Sequence, residues 1–146
     1  MRSAVIVATA LVALQTAAAG QERQAIRPEG TGTRGPYTPA IRIGNMVYAS
    51  GQLGVAPGGR GLVPGGIREE TRQTMENIDR VLREAGTSLQ RAVKCTVFLA
   101  DISEFAAMNE VYVTFFANTD PPARSTVAVA GLVLNARVEI ECIAAV

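Results

Sequence analysis

The feature that most constrains this chain is a stripe of residues between Ile67 and Ala85. Ile67, Thr71, Met75, Ile78, Leu82 and Ala85 recur at spacings of three and four. That period places them on one face of an α-helix about five turns long. Arg68, Glu69, Arg72, Glu76, Asp79, Arg80 and Arg83 fall outside the stripe and are read as the solvated face. Gly86 follows as a left-handed stop. A helix with one apolar face needs a surface to bury it on, and the flanking sequence supplies strands.

Ala40–Ile43 and Met46–Ser50 alternate around Gly44-Asn45, the pattern of a β-hairpin. Residues 54–66, crowded with Gly and Pro, form a loop. Val93–Leu99 is β-branched and reads as a strand. Asp101, with Glu104 three residues on, is placed to cap a second helix. Ile102, Phe105, Met108, Tyr112 and Phe115 give that helix its apolar face, and residues 118–122 break it. Ser125–Ala130 and Arg137–Ala144 are the last strands, joined through Leu134-Asn135-Ala136. The order ββαβαββ implies an α+β fold, one sheet with two helices on one face. The opposite face then has no cover within one chain, so it meets water or another subunit.

The first 20 residues differ in kind. Met-Arg-Ser, an apolar run from Ala4 to Leu14 and a small-residue end form a secretory leader over residues 1–19, cut near Ala19. The run is too short to span a bilayer, which takes about 20 apolar residues. The expected location is therefore periplasmic or extracellular, with no stable membrane association after cleavage. Residues 20–34 read as a flexible tether and 35–146 as one domain.

Composition removes several chemistries. The chain has no histidine, which excludes Ser-His and Cys-His nucleophilic catalysis and most protein zinc sites. Its 14 basic and 13 acidic residues become 13 and 13 once Arg2 leaves with the leader. No basic run interleaves with aromatics, so nucleic acid is not an expected partner. Cys95 and Cys142 form no Cys-x-x-Cys motif. An oxidising compartment favours pairing them, but adjacent-strand geometry fits a disulfide poorly, so both are read as small core residues. Lys94, the sole lysine, is read as the outward neighbour of an inward Cys95.

Two segments carry candidate chemistry. Pro121-Pro122-Ala123-Arg124-Ser125-Thr126-Val127 sets a guanidinium at the start of an apolar strand. A guanidinium matches a carboxylate with two parallel hydrogen bonds. Val138-Glu139-Ile140-Glu141 sets two carboxylates on one strand face. Such a pair is ordinarily the wet face of a half-buried strand, but a carboxylate there can also direct a water. Together these groups suit a small carboxylate that reacts with water.

Many short motifs resemble the Rid (YjgF-type) family in order and spacing. They are Gly35-Pro36-Tyr37, Gly44-Asn45, Ser50-Gly51-Gln52, Thr71-x-Gln73 with Asn77, Val93 to Leu99, Phe105-Ala106-x-x-Asn109-x-x-Tyr112, Pro122-Ala123-Arg124-Ser125 and Val138 to Glu141. The likeness covers residues 34–146. It implies a chorismate-mutase-like fold, a homotrimer with pockets at the subunit interfaces, and hydrolysis of small 2-imino or 2-enamino acids to 2-oxo acids and ammonia. No metal and no organic cofactor is implied. By likeness, Arg124 binds the substrate carboxylate and Glu139 serves the attacking water. Tyr37, Gly51, Asn109 and Thr126 line the pocket. The chain departs from the family where a cysteine is frequent (Thr126), at an acidic position (Ala128) and in an Arg-Leu-Pro stretch (Gly131-Leu132-Val133). These departures bear on substrate preference. A fold that binds small carboxylic acids without turnover, and a holdase-type chaperone, are the alternative functions.

Overall fold

A computed structural model describes residues 21–29 and 35–146. The expected leader over residues 1–19 lies outside the described residues. The described elements are β1 (Arg23–Ile26), β2 (Ala40–Ile43), β3 (Met46–Leu53), α1 (Ile67–Glu84), β4 (Ala92–Leu99), α2 (Phe105–Tyr112), β5 (Ala123–Ala128) and β6 (Val138–Ala145). The strands form one mixed sheet in the order β1-β2-β3-β6-β4-β5. Only β4 and β5 pair in parallel, joined by the crossover through α2. The expected ββαβαββ core is present, with the two helices packed on one mixed sheet.

The segment read as a flexible tether contains a strand. Arg23–Ile26 pairs antiparallel with β2, and Ile26 is buried. Four residues with a single inward side chain leave no run of alternation to recognise in the sequence.

Alternation decides which side chains reach the helices. Val47 and Ala49 on β3, Cys95, Val97 and Leu99 on β4, and Val138, Ile140, Cys142 and Ala144 on β6 are buried beneath α1 and α2. Met75, Ile78, Val81 and Leu82 meet them from α1, each fully buried. Glu139, Glu141, Lys94 and Thr96 point to the opposite face, which no helix among the described residues covers. Lys94 donates to Ser125 Oγ across 2.7 Å on that face.

Cys95 and Cys142 correct the reading of two separate core thiols. They stand directly opposite on antiparallel neighbours β4 and β6, with side chains inward, and are joined as a disulfide with Cα atoms 4.1 Å apart. The facing register, invisible in the sequence, brings them together.

The second helix is shorter than its pattern implied. Asp101 accepts a hydrogen bond from Ser103 N at 2.8 Å, but the turn it caps is 3-10. Ile102 and Phe105 remain exposed, while Met108, Val111, Tyr112 and Phe116 are buried.

Candidate active site

A β-bulge organises one half of the site. Ala49 faces Cys142 and Gln52 faces Ile140, so β3 carries one extra residue between them. Such a bulge bends its strand and re-aims side chains. Here it presses the Gly51 backbone against Glu139. A Cβ built on Gly51 would stand 2.9 Å from the Glu139 carboxyl carbon and 3.1 Å from its Cγ. Only glycine leaves that carboxylate its present position. Ser50 fixes the bulge to the segment carrying Tyr37. Its Oγ donates to Thr38 O at 2.7 Å and its N–H to Pro39 O at 2.9 Å.

These residues line a cavity of about 620 Å³, within the range of small-molecule sites. Its wall includes Tyr37, Ser50, Gly51 and Glu139, and it extends to Arg60, Asn77 and Arg80. Asn77 Nδ2 donates to Leu53 O at 2.9 Å and Val55 O at 2.8 Å, tying α1 to the loop after β3. Glu139 is the only carboxylate among the lining residues. Burial, and secondarily the Glu141 carboxylate two residues along the same face, push its pKa up. Leu134, on the cavity wall, holds a left-handed backbone at φ 61°. That conformation is uncommon for a residue with a Cβ.

The second half of the site lies apart. Arg124 stands beside Cys95 in the β4–β5 register and therefore faces the helix side of the sheet. Its guanidinium carbon sits 4.6 Å from the Tyr112 ring centre and 5.7 Å from that of Phe105. Those distances are within cation–π range. Burial pushes the Tyr112 phenol up to about 12, with Arg124 opposing it. Asn109 lies between Phe105 and Tyr112 at helical spacing, so it shares their face. Thr126, two residues beyond Arg124, has a buried Oγ1 without a hydrogen-bond partner. Among the described residues, no carboxylate lies within ion-pair distance of Arg124.

Within one chain the expected residues therefore fall into two groups. Tyr37, Gly51 and Glu139 share the cavity, while Arg124, Asn109 and Thr126 gather beside α2. Strands β4 and β6 pair Phe98 with Glu139, and β4 and β5 pair Cys95 with Arg124. Two strand spacings and three residues separate Glu139 and Arg124, about 14 Å between Cα atoms, and their side chains leave opposite faces.

Arg80 is placed differently from its sequence reading. It belongs to the cavity wall and not to the wet face of α1, and its Nε is buried without a partner. Helical period alone could not find this, because the loop after β3 folds over that flank of α1. Glu70 was also absent from the candidates. It is buried and accepts a hydrogen bond from Arg137 N at 2.8 Å.

The sequence matches the endoribonuclease L-PSP family over residues 28–146. The mitochondrial protein mmf2 of Schizosaccharomyces pombe is 50% identical over 115 residues, 76% of this chain and 88% of that protein. The 2-iminobutanoate/2-iminopropanoate deaminase of Capra hircus is 46% identical over 110 residues, 75% of this chain and 80% of the goat protein. Among solved structures, the Rid-family protein YyfA of Yersinia pestis superposes with a TM-score of 0.81 at 41% identity, covering 86% of this chain and all (100%) of that one. The match over residues 28–146 and these likenesses place the chain in the endoribonuclease L-PSP family, that of the YjgF and Rid proteins, with its chorismate-mutase-like fold.

Proposed function

We propose that this protein hydrolyses reactive 2-imino and 2-enamino acids to 2-oxo acids and ammonia, at a site completed by two subunits of a homotrimer. The observation that carries the reading is the split site. A half-buried carboxylate and an arginine without an ion pair each occupy a half-site that is incomplete within one chain. The uncovered sheet face, with half-exposed Tyr48 and half-buried Lys94 and Thr96, supplies surface for association. The 46% identity to a goat protein named as a deaminase of this class supports the reaction.

The chemistry follows from the groups. Arg124 of one subunit binds the substrate carboxylate through two hydrogen bonds and fixes the adjacent C=N carbon. Glu139 of the neighbouring subunit accepts a proton from water as the water oxygen bonds to that carbon. With the imine nitrogen protonated as the iminium, the C=N π electrons move to nitrogen and give a neutral carbinolamine. Glu139 returns its proton to the amino group, the C–N bond breaks, and ammonia leaves as the hydroxyl gives its proton back to Glu139 and the C=O forms. An enamine first takes a proton on carbon to become the imine. Burial of Glu139 suits this role, because a base with a raised pKa accepts the proton more readily at neutral pH.

Export is part of the proposal. The pattern of residues 1–19 and the joined cysteines both fit an oxidising compartment. RNA cleavage, which the family's name carries, finds little support in a mature chain with 13 basic and 13 acidic residues.

The test uses protein lacking the leader. An amino-acid oxidase generates imines and semicarbazide traps what remains. Wild type lowers the trapped fraction, and Arg124→Ala does not. If neither protein lowers it for any imine, while 2-oxo acids still raise the melting temperature, the protein binds carboxylates without turnover.

A further inference from the structure

Among the described residues, positive charge is mostly committed. Arg27, Arg42, Arg68, Arg72, Arg83, Arg91 and Arg137 each hold a hydrogen-bond or ion-pair acceptor. Among the described residues, Arg23, Arg60, Arg80 and Arg124 hold none. Arg124 belongs to the α-carboxylate half-site. Two of the other three, Arg60 and Arg80, line the same cavity as Glu139.

Arg80 is the more telling. Its Nε is buried and makes no hydrogen bond. Glu76 and Glu84 lie one helical turn to either side, yet neither forms an ion pair with it. A buried polar group left unsatisfied costs about 1–3 kcal/mol, more when charged, so native proteins rarely leave one without a role. Asn77, one turn earlier, clamps α1 to the loop after β3 and so holds Arg80 against the cavity. Glu139 is the only acidic lining group, so the wall carries two guanidinium charges against one carboxylate.

We propose that Arg80, assisted by Arg60, forms a second anion subsite that binds the side-chain carboxylate of the substrate, so that 2-imino and 2-enamino dicarboxylic acids are preferred over aliphatic ones. The inference rests on the deaminase reading of Glu139 and Arg124. With the α-carboxylate on Arg124, the side chain points away from that group, and a guanidinium fork at Arg80 receives its terminal carboxylate. The reaction that supplies such a substrate is the two-electron oxidation of an acidic amino acid.

The experiment compares 2-iminoglutarate and 2-iminosuccinate, made from glutamate and aspartate by their oxidases, with 2-iminopropanoate and 2-iminobutanoate. The readout is the ratio of kcat/KM for dicarboxylic over aliphatic imines. Wild type is expected to favour the dicarboxylic imines. Arg80→Met lowers the ratio at least about tenfold through KM, and Arg80→Lys restores part of it. Arg60→Gln lowers it less. Thermal unfolding of each variant accompanies the kinetics, and 2-oxoglutarate is expected to stabilise wild type more than 2-oxobutanoate or inorganic phosphate does. Turnover of all imines with no dicarboxylic preference, or an unchanged ratio in Arg80→Met, overturns the subsite alone. Absence of turnover with every imine overturns the deaminase reading and the subsite with it.

Discussion

Replacing Gly51 with alanine tests the geometry of the base directly. The new methyl would stand 2.9 Å from the Glu139 carboxyl carbon. Carbon atoms rest at about 3.5–4.0 Å, and Glu139 Oε1 lies closer still, so the carboxylate must retreat by at least roughly 0.6–1.1 Å. Displacing a catalytic group by about 1 Å can cost 10²-fold, equivalent to about 2.7 kcal/mol in the barrier. The atoms in the way are the end of a flexible side chain, so the fold should survive with a loss of at most about 1 kcal/mol. The assay is imine trapping at saturating and limiting substrate, with thermal unfolding alongside. The expected result is a kcat reduced about 100-fold at nearly unchanged melting temperature. Wild-type kcat in a folded Gly51→Ala protein would refute the assignment of Glu139 as the base.

Other outcomes follow from the same structure. Because burial and Glu141 raise the Glu139 pKa, kcat should rise with pH through a value above the ordinary carboxylate range. Glu139→Gln should abolish that limb and lower kcat by about 10²–10⁴. The raised pKa also means that folding binds the Glu139 proton more tightly. Its favourable contribution is full below the unfolded pKa and is lost as pH rises through the folded one, so Glu139→Gln should unfold at a higher temperature than wild type at neutral pH. The Cys95–Cys142 bond closes a separation of 47 residues, for which chain entropy gives about 4 kcal/mol. Reduction or a double Cys→Ala change should lower the melting temperature, and non-reducing peptide mapping should recover the cross-link. Unchanged melting after verified reduction would contradict this. Glu70→Ala leaves the Arg137 N–H without its buried acceptor and should cost about 1–3 kcal/mol in denaturant unfolding.

The elements legible in the sequence were those with a sustained period. The α1 stripe, the β2–β3 hairpin and the alternating β4 and β6 all appear close to their expected positions. β1 was not legible, because a four-residue edge strand with one inward side chain has no period to detect. Arg124 and the Glu139–Glu141 pair stood out by their chemistry, the resemblance singled out Glu139 and supplied Tyr37, Gly51, Asn109 and Thr126, and their division into two half-sites needed the fold. Residue spacing within β5 or within β6 does not give the order of the strands or their register, so it could not show that Arg124 and Glu139 leave opposite faces of the sheet. Arg80 was misassigned for a related reason. Helical period separates the core face from the rest but does not show that a loop closes over part of the rest. The disulfide was hidden because strand register, not sequence spacing, sets Cys95 opposite Cys142.

The most direct test of the account mixes two inactive proteins. Arg124→Ala keeps a working Glu139, and Glu139→Gln keeps a working Arg124. Co-folded in equal amounts into trimers, about one quarter of the interfaces would pair the intact Glu139 of one chain with the intact Arg124 of its neighbour. The account expects each variant alone to leave the trapped imine near its uncatalysed level, and the mixture to regain about one quarter of wild-type turnover. Mixed trimers that form, as judged by native mass spectrometry, yet recover no activity would contradict a site shared between subunits.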